Sequence, residues 1–311
     1  MSKHLSKIQE KIKSFEMAFV PDKESIILPR LNSILVALDA HDWVEKSSRS
    51  SYSLAAELSL LHGAHTQIVC MAVNQDEFEK SENLVDEAIE FFKSRNIDCN
   101  GICIIGSPSS NILKLVDNES HDIVILPSPY AERIEKDNLD SLGATVEIIL
   151  NNSPVPVLLV PEPKIRTGKI SDRILFYLAG KDDIAIVEWG LLFSDEDTSI
   201  QAVNIIRKDL VDDVIEVSKD LLNQEIEENL VEFSLKKNTS AIISALRDVA
   251  KEMKLDLSTS DCVGDPIMCL EEKAAKNDLS LIVMDYSTAI EDGASLVKYS
   301  KKEKTPILII K

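Results

Sequence analysis

Residues 33–39 read SILVALD, an apolar run that ends in a single acidic residue. A short apolar run rich in β-branched side chains is typical of a strand buried on both faces of a parallel sheet. Similar runs follow it, and they alternate with longer segments of helical periodicity. The predicted strands are 33–39, 67–73, 101–105, 121–126 and 155–160, and the predicted helices are 46–62, 82–94, 110–116 and 144–150. This alternation predicts right-handed crossovers and a doubly wound α/β domain.

The second half of the chain repeats this pattern in the same order. The matched segments are 34–38 (ILVAL) with 174–178 (ILFYL), 106–108 (GSP) with 264–266 (GDP), 123–126 (IVIL) with 281–284 (LIVM), 143–144 with 293–294 (both GA) and 157–160 (VLLV) with 307–310 (ILII). Several ordered matches predict a duplicated domain. We expect domain 1 at 31–162, a polar linker at 163–169 that carries Pro and Gly, and domain 2 at 170–311.

Two segments lie outside the repeated pattern. Apolar residues in the first 30 positions recur every three or four residues, which predicts an amphipathic N-terminal helix and a lead-in; they are Leu5, Ile8, Ile12, Phe15 and Phe19. The second segment is an acidic helical stretch at 209–233, inserted after the second strand of the second repeat. Each segment has two interpretations, which are a helix for a partner and packing on its own domain.

Composition excludes several classes of protein. The 311 residues carry 53 acidic and 34 basic side chains, a net charge of −19, which disfavours nucleic acid and anionic membranes as partners. No apolar run approaches the ~20 residues that cross a bilayer, and we see no signal-peptide pattern. The five cysteines are predicted to be reduced and buried, so a cytoplasmic protein is expected.

Glycine is scarce, with nine in the chain. They form neither a G-x-G-x-x-G loop nor a Walker A loop, since the pair Gly101 and Gly106 is followed by Ser107 and Pro108. The common glycine-built phosphate loops are therefore excluded.

These features together resemble the universal stress protein (UspA-like) family. The resemblance rests on the ILVALD strand, on the GSP and GDP turns that lead into a helix, and on residues 142–160, LGATVEIILNNSPVPVLLV. It implies two tandem domains, each with a five-stranded parallel sheet of order 3-2-1-4-5, related by a pseudo-twofold and often joined through their fifth strands. It also implies an adenine-nucleotide site at the carboxyl edge of the sheet, as expected for open α/β sheets.

The family's phosphate loop, G-x2-G-x9-G-[ST], is altered in this sequence. Pro127 and Tyr130 stand where the resemblance implies the first two glycines, and Gly143 follows after a longer spacing. The second repeat has a much shorter segment, and Ala179 replaces the aspartate that ends the first strand. Domain 2 is therefore predicted to hold no nucleotide. Domain 1 keeps a vestigial cofactor-binding set, which is Asp39, Ala40, Val73, Gly143, Ala144 and Thr145.

Two functional hypotheses stay open. The first is a non-enzymatic stress-type protein that acts through a protein partner or through self-association, for example as a homodimer; Asp39 then only caps a turn and Gly143 only starts a helix. The second is binding of AMP, ATP or another small ligand in domain 1, with slow hydrolysis as an option. No catalytic motif is found, and no metal is expected at His62 and His65, although His41 lies at the mouth of the site.

Overall fold

The computed structural model describes residues 25–41, 43–131, 143–162, 169–179, 183–222, 227–274, 278–286 and 304–311. The predicted N-terminal helix, most of the linker 163–169, and the Gly293–Ala294 match lie outside these residues. The strands are β1 Ser33–Leu38, β2 His65–Ala72, β3 Cys99–Ile105, β4 Ile123–Ser128, β5 Val157–Pro161, β6 Arg173–Leu178, β7 Ser199–Arg207, β8 Asp256–Gly264, β9 Leu281–Asp285 and β10 Ile307–Ile310. The helices are α1 Glu45–His62, α2 Gln75–Lys93, α3 Pro108–Glu119, α4 Ala144–Asn152, α5 Asp183–Leu191, α6 Lys208–Leu222, α7 Glu228–Met253 and α8 Pro266–Ala274.

The ten strands of the described residues form one continuous sheet of order β3-β2-β1-β4-β5-β10-β9-β6-β7-β8. Each half therefore has the order 3-2-1-4-5, with parallel neighbours, which confirms the predicted fold class. Helices cover both faces over two large apolar clusters, and both clusters contain residues from the two halves. The halves share their cores as well as their sheet.

The two halves join through their fifth strands. Strand β5 pairs with β10 in antiparallel register, and Leu158 lies opposite its repeat counterpart Leu308. A pair of equivalent residues that face each other is what a pseudo-twofold axis requires. At one end of this seam Lys46 and Lys304 both contact Glu162, at 3.0 and 3.4 Å, and the hydrogen bond from Lys46 lowers the pKa of that carboxyl.

The insertion in the second repeat is a helical hairpin of α6 and α7. It lies after β7, the second strand of the second repeat, where the sequence comparison of the two repeats predicts an insertion. Val211 and Ile215 of α6 pack with Val231 and Leu235 of α7 beside Ile206 at the end of β7. The later part of α7 continues across β7 and β8 as part of the core.

A buried histidine, His121, lies at the amino edge of the first half. Its Nδ1 is 2.8 Å from the Ser33 hydroxyl and its Nε2 is 2.7 Å from Gln67 Oε1. Burial lowers the pKa of His121; the charges of Glu119 and Asp122 oppose that shift, and His65 adds to it. The neutral imidazole is therefore the form that the fold accommodates.

We expect this histidine to make stability depend on pH. Since the folded-state pKa lies below the ordinary value of about 6.5, the unfolded chain binds the proton more readily, so the free energy of unfolding falls as pH drops below about 6.5. Urea unfolding at a series of pH values measures the effect. His121→Gln keeps two polar atoms but does not titrate in this range. It should therefore remove the contribution of His121 to the pH dependence of the free energy of unfolding. An unchanged slope in this variant would contradict the assignment to His121.

Candidate functional site

The candidate site lies at the carboxyl edge of the sheet in the first half. Strands β1 and β4 are parallel neighbours that end at Leu38 and Ser128, so the segments that follow them leave the sheet side by side. The chain crosses from one side of β1 to the other at this place, which makes it a topological switch point. The crevice between β1 and β4 is thus where an open α/β sheet holds a ligand.

The carboxylate of Asp39 is bound from two sides by the chain itself. The side chain is 4% exposed. Its Oδ1 accepts the His41 backbone N–H at 2.9 Å and lies 2.5 Å from His41 Nδ1, while its Oδ2 accepts the Ala131 N–H at 2.7 Å. The Ser48 hydroxyl donates to the Asp39 carbonyl and accepts from its N–H. Both carboxylate oxygens are therefore used inside the protein.

Tyr130 places a buried ring beside this carboxylate. It is 1% exposed and belongs to the apolar cluster that includes Met71, Leu126 and Val146. Burial raises the pKa of its phenol well above the ordinary value, and the neighbouring Cys70 and Asp39 add to that rise. Its hydroxyl has no hydrogen-bond partner in the described part of the chain. The peptide bond between Ser128 and Pro129, just before it, is cis.

The mouth of the crevice carries exposed aromatic and apolar side chains. His41 stacks on Trp43 with ring centroids 4.1 Å apart and an interplanar angle of 22°. Trp43 is 46% exposed, and Val73, just beyond β2, is 57% exposed. The Val73 N–H donates to Glu77 Oε2 at 3.2 Å, and Ala40 is half-buried against the core. A flat aromatic pair thus faces solvent next to Asp39.

The predicted residues at 143–145 start helix α4 on the other side of β4. Gly143 is the N-cap, with a φ of +88°, and its carbonyl accepts the N–H of Glu147. Val146 of this helix shares the apolar cluster with Tyr130. The structure therefore brings Tyr130 and the α4 start to one side of the crevice, with Asp39 and His41 on the segment that follows β1. Residues 132–142, which carry most of the charged part of the loop, lie outside the described residues.

In the second half the residue directly after the first strand carries no carboxylate. Ala179 follows β6, and its backbone N–H donates to Asp183 Oδ1 at 3.0 Å. Asp183 is fully buried at the first turn of α5. Here a helix side chain satisfies the backbone at the end of the strand. The segments 180–182 and 287–303 at this edge lie outside the described residues.

The sequence does not match any protein-family model, and no curated protein matches it. Solved structures do match over nearly the whole chain. A universal stress protein from Archaeoglobus fulgidus DSM 4304 is 14% identical, with a TM-score of 0.64; the match covers 91% of this chain and 97% of that one. A Pseudomonas aeruginosa UCBPP-PA14 protein described in the same terms is 15% identical, with a TM-score of 0.55 and coverage of 90% and 93%.

The chain has the fold of a tandem universal stress protein. A functionally unknown Pseudomonas aeruginosa PAO1 protein shares it at 14% identity, with a TM-score of 0.54 and coverage of 90% of this chain and 92% of that one. The near-complete coverage of both chains means that the two-domain arrangement matches, and not one domain alone. Identities this low establish the fold alone.

Two cysteines of this universal stress protein fold correct an expectation. Cys262 at the end of β8 and Cys269 in α8 form a disulfide, with Cα atoms 5.9 Å apart, whereas all five cysteines were expected to be reduced. The tight turn at Gly264, with a φ of +149°, brings strand and helix within bridging distance. Cys70, Cys99 and Cys103 are free.

The two histidines near Gly63 have local partners. His62 Nε2 lies 2.7 Å from the Leu192 carbonyl oxygen, and His65 Nδ1 lies 2.9 Å from Asp98 Oδ2. Gly63 ends α1 in the left-handed conformation, directly after the predicted helix end at residue 62. A search of the described residues finds no group of three or more side chains suited to hold a metal ion. Among those residues, too, no helix combines the length and apolarity needed to span a bilayer.

Proposed function

We propose that this chain is a non-enzymatic, stress-type regulatory protein that acts through protein contacts, and that its own residues close the nucleotide site of domain 1. Domains 1 and 2 are taken at 31–162 and 170–311. The observation that carries the proposal is the Asp39 carboxylate, whose two oxygens are held by His41 and Ala131. The resemblance puts this aspartate against the nucleoside, where it would have to accept from the ligand instead.

The hydrogen-bonding capacity of Asp39 supports closure. An ionised carboxylate has about four acceptor positions, and three of them are occupied by short bonds within the chain. One position stays open, but the side chain is only 4% exposed, so a ribose hydroxyl would need to displace the Ala131 N–H or His41 to reach it. Either displacement would leave a buried donor or the buried carboxylate without its partner, at a cost of about 1–3 kcal/mol for each group.

The segment after β4 supports closure in a second way. Glycines let backbone N–H groups approach a phosphate closely, whereas Pro127 has no N–H and Tyr130 fills the crevice with a buried ring. Glu147 also adds a negative charge to the first turn of α4, the end of a helix that otherwise favours an anion. Asp39, Ala40, Val73, Gly143, Ala144 and Thr145 then form the remnant of a site.

Binding of an adenine nucleotide in domain 1 alone is the second candidate. The exposed His41–Trp43 pair favours it, because a flat aromatic surface beside a carboxylate suits a purine base and its ribose. This arrangement would be non-standard, since the base would stack outside the crevice that Tyr130 fills.

Native mass spectrometry and a thermal-shift titration with AMP and ATP separate the two candidates. We expect no bound nucleotide and a melting temperature that shifts by less than about 1 °C at millimolar ligand, since a ligand at 100 times its Kd would contribute about 2.7 kcal/mol. Trp43→Ala is the matched variant, because Trp43 is exposed and its loss should leave the fold intact. A stabilisation that disappears in Trp43→Ala would establish the second candidate and overturn the first.

The proposal also includes the binding partner of the protein and its location in the cell. The contacts are with a protein partner or a second copy of the chain, as a homodimer, since the net charge of −19 opposes nucleic acid. The cytoplasmic location stays a prediction.

A further inference from the structure

The outer face of the α6–α7 hairpin exposes apolar side chains. Leu210, Val214 and Val217 follow one another on α6 at spacings of four and three residues, and Leu230 and Phe233 follow on α7. These five side chains are between 37 and 59% exposed. Four of them lie about a quarter-turn or more around each helix from the inward-facing Val211 and Val231, and Val214 lies about 60° from Val211. The hairpin therefore presents a second apolar stripe away from the sheet, which we call the outer stripe.

The outer stripe is surrounded by negative charge. Residues 208–233 contain nine acidic side chains against Lys208 and Lys219. Lys208 is already paired with Asp212 and Glu228. Asp213, Glu216 and Glu232 have no cationic partner among the described residues. An apolar stripe with unneutralised carboxylates along it fits an amphipathic helix that carries a net positive charge.

A second copy of the hairpin is a poor occupant, because it would bring the same negative charge to the contact. The N-terminal segment of the chain has the complementary chemistry. Residues 3–19 carry an apolar residue every three or four positions, and four lysines against two glutamates, in a chain that is acidic overall. The described chain begins at residue 25, beyond the end of this segment.

The first described residues of the chain lie on the same face of the sheet as α5 and α7. The Ile27 N–H donates to Glu188 Oε1 of α5 at 2.8 Å, and Ile26 packs on the core cluster that α5 and α7 share. Helix α5 in turn packs on α7. If residues 5–19 are helical they are ~22 Å long, and residues 20–25 can span up to ~20 Å. Leu230 and Phe233 lie in the first turns of α7, whose 26 residues are ~39 Å long, so these two lengths together allow the segment to contact the outer stripe of its own molecule.

We propose that residues 5–19 of the chain dock as an amphipathic helix on the outer stripe of the α6–α7 hairpin of the same molecule. The apolar side chains of the segment cover Val214, Val217 and Phe233, and its net positive charge, with Lys11 beside the apolar side, offsets the charge of Asp213, Glu216 and Glu232. The stripe then serves as an internal contact between the start of the chain and the insertion in domain 2.

Hydrogen–deuterium exchange of the full chain tests the contact. In Ile8→Asp/Ile12→Asp, whose changes fall on the apolar side of the segment, we expect amide exchange over 208–235 to become about tenfold faster or more, because burial of two apolar side chains is lost. The matched control is Ser6→Asp/Ser14→Asp, which adds the same charge on the opposite side of the predicted helix. Exchange in the control should equal the wild type, and tenfold dilution of the wild type should leave it unchanged.

A reciprocal variant uses residues that are exposed and outside the core. Val214→Asp/Leu230→Asp should speed tryptic cleavage at Lys7, Lys11 and Lys13 while the melting of the body is kept. The proposal is overturned if neither variant pair alters the other surface, or if the control acts like the test variant. It is also overturned if dilution speeds exchange, which would mean that the occupant is another copy. Protection confined to the 450 Å³ groove lined by Leu28, Leu61 and Leu191 would place the segment there instead.

Discussion

Replacement of Tyr130 by alanine is expected to lower the free energy of unfolding by about 3–5 kcal/mol, the usual range for loss of a large buried aromatic side chain. The ring is 1% exposed and packs between the end of β4 and helix α4. Its removal leaves a cavity beside Asp39 that the surrounding strands cannot fill by side-chain movement alone. Urea unfolding of the full chain measures the loss.

Tyr130→Phe is the matched control, because it keeps the ring and removes the hydroxyl. This hydroxyl has no hydrogen-bond partner in the described residues, so its loss should leave stability unchanged or raise it. The same two variants test closure of the crevice. If the ring excludes a nucleotide, Tyr130→Ala should show a thermal shift with AMP that the wild type and Tyr130→Phe lack. A destabilised Phe variant would mean that the hydroxyl is bound after all.

Gly190→Ala is expected to destabilise the second half by about 1–3 kcal/mol through overpacking. A Cβ at this position of α5 would lie 2.3 Å from Cε1 of Phe176, a fully buried residue of β6. In an ordinary exposed helix the same change would stabilise the protein by about 0.5–1 kcal/mol. The close approach of helix and strand therefore reverses the sign of the effect.

A double-mutant cycle checks that this contact is the cause. Phe176→Leu in the Gly190→Ala background should recover part of the loss, because the smaller side chain makes room for the new methyl group. Gly63→Ala is a second comparison, since a Cβ there meets no atom within 4 Å and only the left-handed φ of +68° opposes it. If Gly190→Ala costs no more than Gly63→Ala, the packing argument is wrong.

The central strands could be predicted from the sequence because they are buried on both faces. Residues 123–126 and 281–284 are uniformly apolar, and β4 and β9 contain them. The edge strand β8 has no predicted counterpart, since its side chains alternate between half-buried and exposed. Helix α2 begins at Gln75, seven residues before the predicted start at residue 82. The start was predicted too late because the first turns of this helix are polar. The available signal was Asn74, whose side chain accepts the N–H groups of Asp76 and Glu77.

Only those parts of the site that depend on the local sequence could be predicted. The end of the first strand placed Asp39 at the carboxyl edge, and His41 follows two residues later. The contact of Asp39 with Ala131 depends on how β4 lies beside β1, 92 residues away in the chain, and no local pattern specifies it. The roles of Gly101 and Gly190 also depend on contacts between distant elements, so no local pattern indicated them. Gly101 leaves room for Val85 and Ile89 of α2, and Gly190 leaves room for Phe176 of β6.

The antiparallel pairing of β5 with β10 has a consequence for how the molecule can diverge. In an assembly of two identical chains every substitution occurs twice, so a change that suits one copy is imposed on the other. Here both halves belong to one peptide chain. Leu158 and Leu308 keep the twofold contact, whereas residues far from this contact can change in one half only. One half keeps Asp39, and the other has Ala179 and an additional hairpin. The sheet therefore has two different edge strands, β3 in one half and β8 in the other, so a partner can distinguish the two ends of the molecule.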